Sequence, residues 1–296
     1  DLSPNDLEKI EYPVMVKPVD NGAGVGMTIC YNEDELRAGV QKALNSSLSK
    51  TFVVERYMQC DDLFVYYTII DGEVYLSAIA DRITSKEQGD LSPVCLAAIY
   101  PSKHTDEYMS KMHQKVVNLL KGLGVLNGVL NIQMFVENGN FYAYDPGFRL
   151  QGEAPHIILN AVNGFDHRKM LIHFALTGSM GVPDFAYQND YLLQGKFAGT
   201  MWILIKQGKI GEVQGLDNLK EDSNVVFVLQ RLHIGDTVTS DMVGTERQVL
   251  ARIYIACDSK EQFRKKFEEI QVGVCVKDDQ GNNLLLTGFD VQKAWI

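Results

Sequence analysis

The first eighty residues alternate between short apolar runs and turn residues, which is the pattern of a small β-rich lobe. Strands are predicted where Val, Ile, Tyr and Phe concentrate, at 13–17, 26–31, 51–55, 63–70 and 73–80. The last two runs meet at Asp71-Gly72, a strong hairpin signal. Between the second and third runs the apolar period becomes helical, and Asn32 with Glu35 gives a capping box at its start. The sequence therefore predicts a β-β-α-β unit followed by a hairpin.

Strands and helices continue to alternate after residue 90, with a change of character near 183–195. The pattern predicts a strand at 94–100, a helix at 105–121, a hairpin at 128–149 that turns at Asn138-Gly139, and helices at 155–162 and 165–177. Later strands, punctuated by glycine, are predicted at 198–205, 225–232 and 248–256, with one capped helix at 259–271. We expect an α+β fold with a domain boundary close to residue 185.

Length and charge narrow the class of protein. The chain has 296 residues, of which 46% are hydrophobic, so it falls near the size at which one core divides into two. Its 38 acidic and 28 basic side chains give a formal charge of −10, which disfavours nucleic acid and anionic membrane surfaces as partners. No apolar run reaches the ~18 residues of a spanning helix, and the first residues lack a signal-peptide pattern, so we expect a cytoplasmic protein. The five cysteines lack metal-binding or CxxC spacing, which predicts buried thiols rather than disulfides.

A lysine and a glycine-rich loop form the first group of candidate residues. Lys17 ends an apolar strand, and the loop that follows has glycine at positions 22, 24 and 26. The backbone amides of such a loop can approach phosphate oxygens closely, and the ammonium supplies the opposite charge. The lysine comes before the glycines, unlike in the GxxxxGK[ST] loop. An ordinary glycine-rich hairpin with a surface lysine fits the same residues, so this segment alone leaves both interpretations open.

Two strand ends carry further charged candidates. Glu55 ends the third predicted strand, where a carboxylate can accept a hydrogen bond from the exocyclic amine of a purine. Asp81-Arg82 closes the fifth strand, where Arg82 can place a cation over a substrate anion. The alternatives are a surface glutamate at a strand end and a solvated Asp/Arg pair.

Polar residues inside the apolar hairpin at 128–149 form the third group. Gln133 and Asp145 lie about equally far from the Asn138-Gly139 turn, so strand pairing puts their oxygens side by side, as a divalent cation such as Mg²⁺ requires. Arg149 and Glu153 follow toward the same end, the first suited to a phosphoryl or carboxylate group and the second to proton transfer. A polar hairpin with a surface Arg/Glu pair is the alternative, although Gln and Asp among apolar residues cost desolvation.

Taken in order, the three groups resemble the ATP-grasp superfamily, whose members hold ATP between a small β lobe and a larger α+β lobe. YPVMVKP with its glycine-rich loop resembles the phosphate-clamping strand and loop of that family, and VVERYM resembles its adenine-binding hinge. The segment NIQ…DPGFR resembles the metal-ligand strands of the carbamoyl-phosphate synthetase and biotin carboxylase branch. The likeness covers about 10–180, and 195–296 is more weakly similar to the C-terminal β-rich lobe of ATP-grasp carboxylate-amine ligases.

The resemblance implies a role for each candidate residue. It implies nucleotide contacts for Lys17, Asn21, Gly22, Ala23, Gly24, Gly26, Glu55, Arg56, Tyr57 and Met58. It implies that Gln133 and Asp145 are metal ligands, that Arg149 and Glu153 are catalytic, and that Arg82, Arg149 and Gln151 contact substrate. The implied domains are an ATP-grasp domain at 1–185, with a small lobe at about 10–58 and a large lobe at about 60–185, and a C-terminal β-rich lobe at 186–296. The implied cofactors are ATP and Mg²⁺, with Mn²⁺ as a substitute, and a homodimer is left open.

Three departures from the family pattern bear on the site. Gly147 stands where the family has an asparagine ligand, and Asp145 is a methylene shorter than the usual glutamate, which leaves the metal to be held more by ATP and water. The loop at 21–27 lacks the basic or hydroxyl side chain often found there, so its backbone amides must hold the phosphates. The family normally has a Rossmann-like domain before the YPVMVKP strand, so we expect this chain to be part of a longer enzyme.

We therefore expect an ATP- and Mg²⁺-dependent ligase that activates a carboxylate as an acyl phosphate for attack by an amine or a similar nucleophile, with release of ADP. A bicarbonate-activating carboxylase or a carbamoyl-phosphate synthetase-like enzyme is the first alternative, supported by Arg149-x-Gln151-x-Glu153. A nucleotide-binding module without catalysis is the second, prompted by Gly147.

Overall fold

The computed structural model describes residues 9–22, 25–85, 94–286 and 288–291. Within them the strands, in chain order, are β1 Val14–Pro18, β2 Thr28–Cys30, β3 Phe52–Arg56, β4 Asp61–Ile70, β5 Glu73–Thr84, β6 Cys95–Tyr100, β7 Gly128–Glu137, β8 Asn140–Gly147, β9 Phe197–Leu204, β10 Gly208–Gln214, β11 Val225–Gln230, β12 Thr237–Val238, β13 Val249–Cys257 and β14 Cys275–Asp278. The α-helices are α1 Glu33–Ser46, α2 Thr105–Tyr108, α3 Gln114–Gly122, α4 His156–Asn163, α5 His167–Thr177, α6 Phe185–Gln188, α7 Leu216–Leu219 and α8 Lys260–Gly273.

The first three strands form a small antiparallel sheet in the order β2-β1-β3, packed against α1. Helix α1 begins at the predicted capping box, where the Asn32 side chain accepts a hydrogen bond from the Glu35 amide and the Glu35 carboxylate accepts one from the Tyr31 amide. Apolar side chains of β1, β2 and α1 form the core of this unit: Val14, Val16, Cys30, Leu36, Val40 and Ala43. The predicted β-β-α-β unit is confirmed, and its packing holds β1 and β3 side by side.

A single antiparallel sheet in the order β11-β13-β9-β6-β5-β4-β7-β8 forms the centre of the molecule. The β4–β5 and β7–β8 hairpins turn where predicted, with Asp71 and Asn138 at φ of 49° and 52°. Alternate residues along each strand point to opposite faces, so one face packs on α4 and α5 and the other on α3 and α8. The predicted α+β class is confirmed.

Some predicted elements differ from those observed. The helix expected at 105–121 is interrupted by a π-helical turn, Met109–His113, which brings the His113 ring into a stack with Tyr67 at 5.8 Å between centroids. Strands β10, β12 and β14, which form a third small sheet, were not predicted. All five cysteines are free thiols, but Cys60 and Cys275 are only partly buried, so the prediction of buried thiols is wrong for these two.

The large sheet runs across the predicted boundary near residue 185. Strand β6 pairs with β9, with Ala98 opposite Thr200, and β9 pairs with β13. Strands from both predicted domains therefore share one sheet, and the boundary itself stays a prediction. None of the helices in the described part of the chain combines the length and apolar character needed to cross a membrane.

Candidate active site

Lys17 and Glu55 lie on neighbouring strands of the small sheet and contact each other. Lys17 is opposite Val53 and Met15 is opposite Glu55, so both charged side chains project from one face. The Lys17 Nζ lies 2.5 Å from a Glu55 carboxylate oxygen, with 33% of the Lys17 and 51% of the Glu55 side chain exposed. An ion pair this exposed is weak and exchanges readily for another partner. Two residues that are predicted to contact the nucleotide, Lys17 and Glu55, therefore lie next to each other.

The described part of the glycine-rich loop is tied to the last turn of α1. The Asn21 side-chain amide donates to the Ser46 carbonyl at 2.5 Å, and the Gly22 carbonyl accepts from the Val25 amide at 3.2 Å. Gly26 has a φ of +79°, and a Cβ at this position would lie 2.7 Å from the Ser46 Cβ, so both backbone conformation and packing require glycine here. Ala23 and Gly24 lie outside the described residues.

The residues after Glu55 connect the small sheet to the large one. Arg56 donates to the Glu137 carboxylate at 2.8 Å, next to the turn of the β7–β8 hairpin. The Tyr57 amide donates to the Pro13 carbonyl at 3.0 Å, and Met58 is half-buried. Arg56 thus bridges the two sheets, and its predicted contact with a nucleotide would require it to exchange this partner.

Gln133 and Asp145 face each other across β7 and β8, as predicted. The register from the turn pairs Met134 with Ala143, and the next pair is Gln133 with Asp145, so Tyr144 is the extra residue of a β-bulge. The Tyr144 hydroxyl donates to the Asp62 carboxylate at 3.0 Å, and its ring stacks on Phe135 at 4.2 Å between centroids. The bulge is therefore anchored on both sides, and it is the feature that sets Asp145 opposite Gln133.

Arg82 lies on the same face of the sheet, two strands away, where it pairs with Asp62. Its guanidinium lies 2.5 Å from an Asp62 oxygen and 5.6 Å from the centre of the Phe64 ring. Burial opposes the charge on Arg82, but the Asp62 carboxylate more than offsets it and raises the pKa of the guanidinium above its usual value. The Arg82 Nε has no hydrogen-bond partner in the described part of the chain.

Asp81, the sequence neighbour of Arg82, belongs to a different network. Its carboxylate accepts hydrogen bonds from the Ser102 hydroxyl at 2.6 Å and from the Lys103 amide at 3.0 Å. Successive residues of a strand point to opposite faces, so the Asp81-Arg82 pairing considered from the sequence is wrong. The partner of Arg82 is Asp62, which stands opposite it on β4.

The loop from Gly147 to α4 carries the other predicted site residues beside a small cavity. Arg149 is exposed, and one of its donors bonds the Leu150 carbonyl at 3.0 Å. Asn131, Gln151 and His156 line the same cavity as Arg149, whose volume of about 10 Å³ suits one water or a group of similar size. Among the described residues, the Asn131 Oδ1, both amide atoms of Gln151 and the His156 Nδ1 are buried without a hydrogen-bond partner. Unpartnered buried polar atoms are costly, so their convergence makes this cavity a candidate binding site.

Strand β13 holds the backbone of this loop. Arg252 donates to the Gly152 carbonyl and, at 2.6 Å, to the Glu246 carboxylate, while the Tyr254 hydroxyl donates to the Glu153 carbonyl at 3.0 Å. The Arg252 guanidinium also lies over the Trp202 ring at 5.3 Å. Because the bonds to Gly152 and Glu153 use backbone carbonyls, they fix the path of the loop without engaging the Arg149 and Glu153 side chains.

Two buried histidines close the inner end of the cavity. His167 contacts the Thr68 hydroxyl at 2.7 Å, and burial lowers the pKa of His167 to about 4. Burial and the charge of Arg168 also lower the pKa of His156 below its usual value. Both rings are therefore neutral at pH 7 and act as hydrogen-bonding groups rather than charges.

The predicted metal ligands fit Mg²⁺ in their chemistry, although they are few. Gln133 and Asp145 offer one amide and one carboxylate oxygen, the hard ligands that Mg²⁺ prefers. In the described ranges no three His, Cys, Asp or Glu side chains lie close enough to hold a metal by themselves. The unpartnered Asn131 oxygen lies two residues from Gln133 on β7, so this part of the hairpin offers one further oxygen, which unlike those of Gln133 and Asp145 is buried.

Sequence reasoning missed several residues of this site. Asn131 lies two positions before Gln133, and the period of a strand, applied to the NIQ segment, would have identified it. No local pattern marks His156, Asp62 or Arg252, since each enters the site through pairing between distant segments.

Residues 2–142 match the family model described as D-ala D-ala ligase C-terminus. Among curated proteins, the ATP-grasp enzyme fsqD of Aspergillus fumigatus is 27% identical over 138 residues, which is 44% of this chain and 24% of that protein. The carbamoyl phosphate synthase large chain of Halobacterium salinarum is 25% identical over 150 residues, 50% of this chain and 14% of that protein.

Solved structures with the same fold match almost the whole chain. The L-amino acid ligase of Bacillus licheniformis gives a TM-score of 0.75 at 19% identity, over 93% of this chain and 66% of that one. The biotin carboxylase domain of the Hydrogenobacter thermophilus 2-oxoglutarate carboxylase, in complex with MgADP and bicarbonate, gives a TM-score of 0.68 at 17% identity. This match covers 95% of this chain and 60% of that one. The chain thus spans about a quarter or less of the length of these curated relatives and about two thirds or less of the solved chains.

Proposed function

We propose that this chain is a member of the ATP-grasp superfamily that binds ATP with Mg²⁺ and activates a carboxylate as an acyl phosphate for attack by an amine. The facing pair of Gln133 and Asp145 carries the proposal, because it offers oxygen ligands on the sheet face that also bears Arg82. These two residues would hold the metal ion, which when bound neutralises charge on the β- and γ-phosphates. The chain's own residues then have to position ATP and the acceptor.

Lys17, Glu55 and the glycine-rich loop would hold the nucleotide. The Lys17 ammonium would exchange Glu55 for the α- and β-phosphates, which releases the Glu55 carboxylate to accept from the adenine amine. Backbone amides of 21–27 would cover the terminal phosphates, and their glycines allow close approach. Arg56, Tyr57 and Met58 would line the adenine side.

Arg149, Gln151 and Glu153 would act on the acceptor. Arg149 would hold the acceptor carboxylate in place, and one carboxylate oxygen of the acceptor would attack the γ-phosphorus of ATP. The bond from this phosphorus to the β,γ-bridging oxygen would break, and ADP would leave. The amine would then attack the acyl carbon, expelling phosphate, and pass its proton to Glu153 as base. The Gln151 amide, buried without a partner among the described residues, would bond the acceptor, and Arg82 would add a positive field on the same face.

Bicarbonate activation is the second candidate, and the spacing of Arg149, Gln151 and Glu153 as Arg-x-Gln-x-Glu favours it. The cavity beside Arg149 has a volume of about 10 Å³, enough for about one water, so an acceptor of either kind would bind at its mouth. Both candidates use the same residues and differ in the acceptor.

ADP release in the presence of Mg²⁺ tests the proposal. The chain would be incubated with ATP and either bicarbonate, single amino acids or pairs of amino acids and amines, with the Asp145→Ala variant as the matched control. Release that needs an acid and an amine supports the ligase, and release with bicarbonate alone supports the second candidate. Nucleotide binding without turnover under any of these conditions would instead favour a non-catalytic module.

A further inference from the structure

Asn131 stands next to the proposed metal ligands and has an unused oxygen. It lies on β7 opposite Gly147, two pairs beyond Gln133 and Asp145 along the hairpin and therefore on the same face. Only 3% of Asn131 is exposed, and its Oδ1 has no hydrogen-bond partner in the described residues. A buried amide oxygen without a partner destabilises the folded state, because the oxygen has lost its hydrogen bonds to water. Such a cost is expected where the oxygen serves a ligand.

Gly147 explains why this oxygen comes from β7. A Cβ built on Gly147 would lie 3.0 Å from the Asn131 Nδ2 and 3.7 Å from the Arg149 Nε, so the Asn131 side chain fills the space above the glycine. Gly147 does not have the positive φ that favours glycine, so its backbone would accept a side chain. The absence of a side chain at 147 and the presence of the amide at 131 are therefore complementary.

We propose that Asn131 supplies the divalent cation with the oxygen that Gly147 lacks, as a third ligand beside Gln133 and Asp145. The proposal rests on the proposed Mg²⁺–ATP function. An amide oxygen is a ligand that Mg²⁺ and Mn²⁺ accept, and the three side chains stem from alternate pairs on one face of the hairpin. Asn131 also lines the cavity beside Arg149, so the competing role for its oxygen is direct contact with the acceptor.

Mn²⁺ binding separates the two roles without relying on activity. Mn²⁺ affinity would be measured by electron paramagnetic resonance on the full chain with a non-hydrolysable ATP analogue and no acceptor. Asn131→Leu, which has similar volume and no oxygen, should weaken Mn²⁺ binding about tenfold. Asn131→Asp should bind Mn²⁺ at least as tightly as the wild type. Asn140→Ala, an exposed asparagine on the same hairpin, should leave the affinity unchanged.

Two further measurements guard against a misfolded variant. Because Asn131→Leu removes an unpartnered polar atom, the melting temperature of the ligand-free variant should equal or exceed that of the wild type. The double variant Asn131→Ala with Gly147→Asn moves the amide to the other strand and should restore the Mn²⁺ affinity that Asn131→Ala loses. Restoration is the result that a merely structural role would not give.

The outcomes distinguish this inference from the proposed function. If the wild type binds the Mn²⁺ complex and Asn131→Leu binds it equally well, Asn131 is no ligand although the site stands. If Asn131→Leu keeps its Mn²⁺ affinity but needs more acceptor, the oxygen serves the acceptor and the inference is wrong. If the wild type itself binds no Mn²⁺ complex, the proposed function and this inference fail together.

Discussion

Replacing Lys17 with methionine removes the ammonium from the proposed phosphate clamp and keeps most of the aliphatic stem. Lys17 and Glu55 form a half-exposed pair, so its loss should cost at most about 1 kcal/mol of unfolding free energy. A charged hydrogen bond to phosphate contributes about 1.5–3 kcal/mol to binding. Wild-type Lys17 must first leave Glu55, which offsets up to about 1 kcal/mol of that gain. The net loss is about 0.5–3 kcal/mol, or roughly a 2- to 150-fold weaker ATP affinity.

Isothermal titration with ATP and Mg²⁺ measures this loss directly. Lys42→Met, which alters an exposed lysine on α1, is the matched control and should bind ATP as the wild type does. Glu55→Gln keeps an acceptor for the adenine amine but frees Lys17, so ATP affinity should stay the same or rise. An ATP affinity within twofold of the wild type for Lys17→Met, with unchanged thermal stability, would refute the assignment of the clamp.

Three further changes test other parts of the site. Asp145→Asn removes the only charged side chain among the two predicted metal ligands. The Mg²⁺ concentration for half-maximal ATP binding should therefore rise about tenfold, and an unaltered Mg²⁺ titration would exclude Asp145 as a ligand. Arg252→Gln removes the donor to the Gly152 carbonyl and one of the two arginines that pair with Glu246, so urea unfolding should show a loss of about 1–3 kcal/mol. ADP formation should slow at unchanged ATP affinity, and wild-type rates would contradict the anchoring role. The folded pKa of His167, about 4, lies below the ordinary 6.5, so the unfolded chain takes up the proton first and stability should fall by up to about 3 kcal/mol as pH drops through that interval. Urea unfolding at pH 7 and pH 5 should show about 2 kcal/mol of this loss in the wild type and in His233→Gln, an exposed control, and a smaller loss in His167→Gln, where His156 with its lowered pKa still contributes.

Most elements could be predicted because their signals are local. The Asp71-Gly72 and Asn138-Gly139 turns, the Asn32 cap and the apolar periods fix hairpins and helices within segments of a few dozen residues. Strands β10 and β14 carry polar and glycine-rich sequences and are defined by pairing with each other, which no local pattern indicates. The order of the eight strands follows from contacts between segments far apart in the chain, so local sequence patterns could not predict it.

The sequence predicts that Gln133 and Asp145 face each other, but regular strand pairing alone does not explain why they do. A regular hairpin would pair Gln133 with Tyr144, and only the bulge shifts Asp145 into place. The bulge depends on the Tyr144 hydroxyl reaching Asp62, and that contact becomes visible only when β4 lies next to β7. Likewise, the sequence suggests Asp81 as the partner of Arg82, whereas the structure shows an ion pair with Asp62 on the adjacent strand.

The pairing of β6 with β9 has a consequence for how the protein is made. Every residue of β6 is buried, and one of its edges is closed only by β9, which the ribosome produces long after β6 has left the exit tunnel. Until then a nascent chain presents an apolar strand with unpaired backbone groups, the kind of edge that recruits other chains. Completion of the sheet therefore waits for late synthesis, and chains that stop before β9 are expected to depend on chaperones or to aggregate.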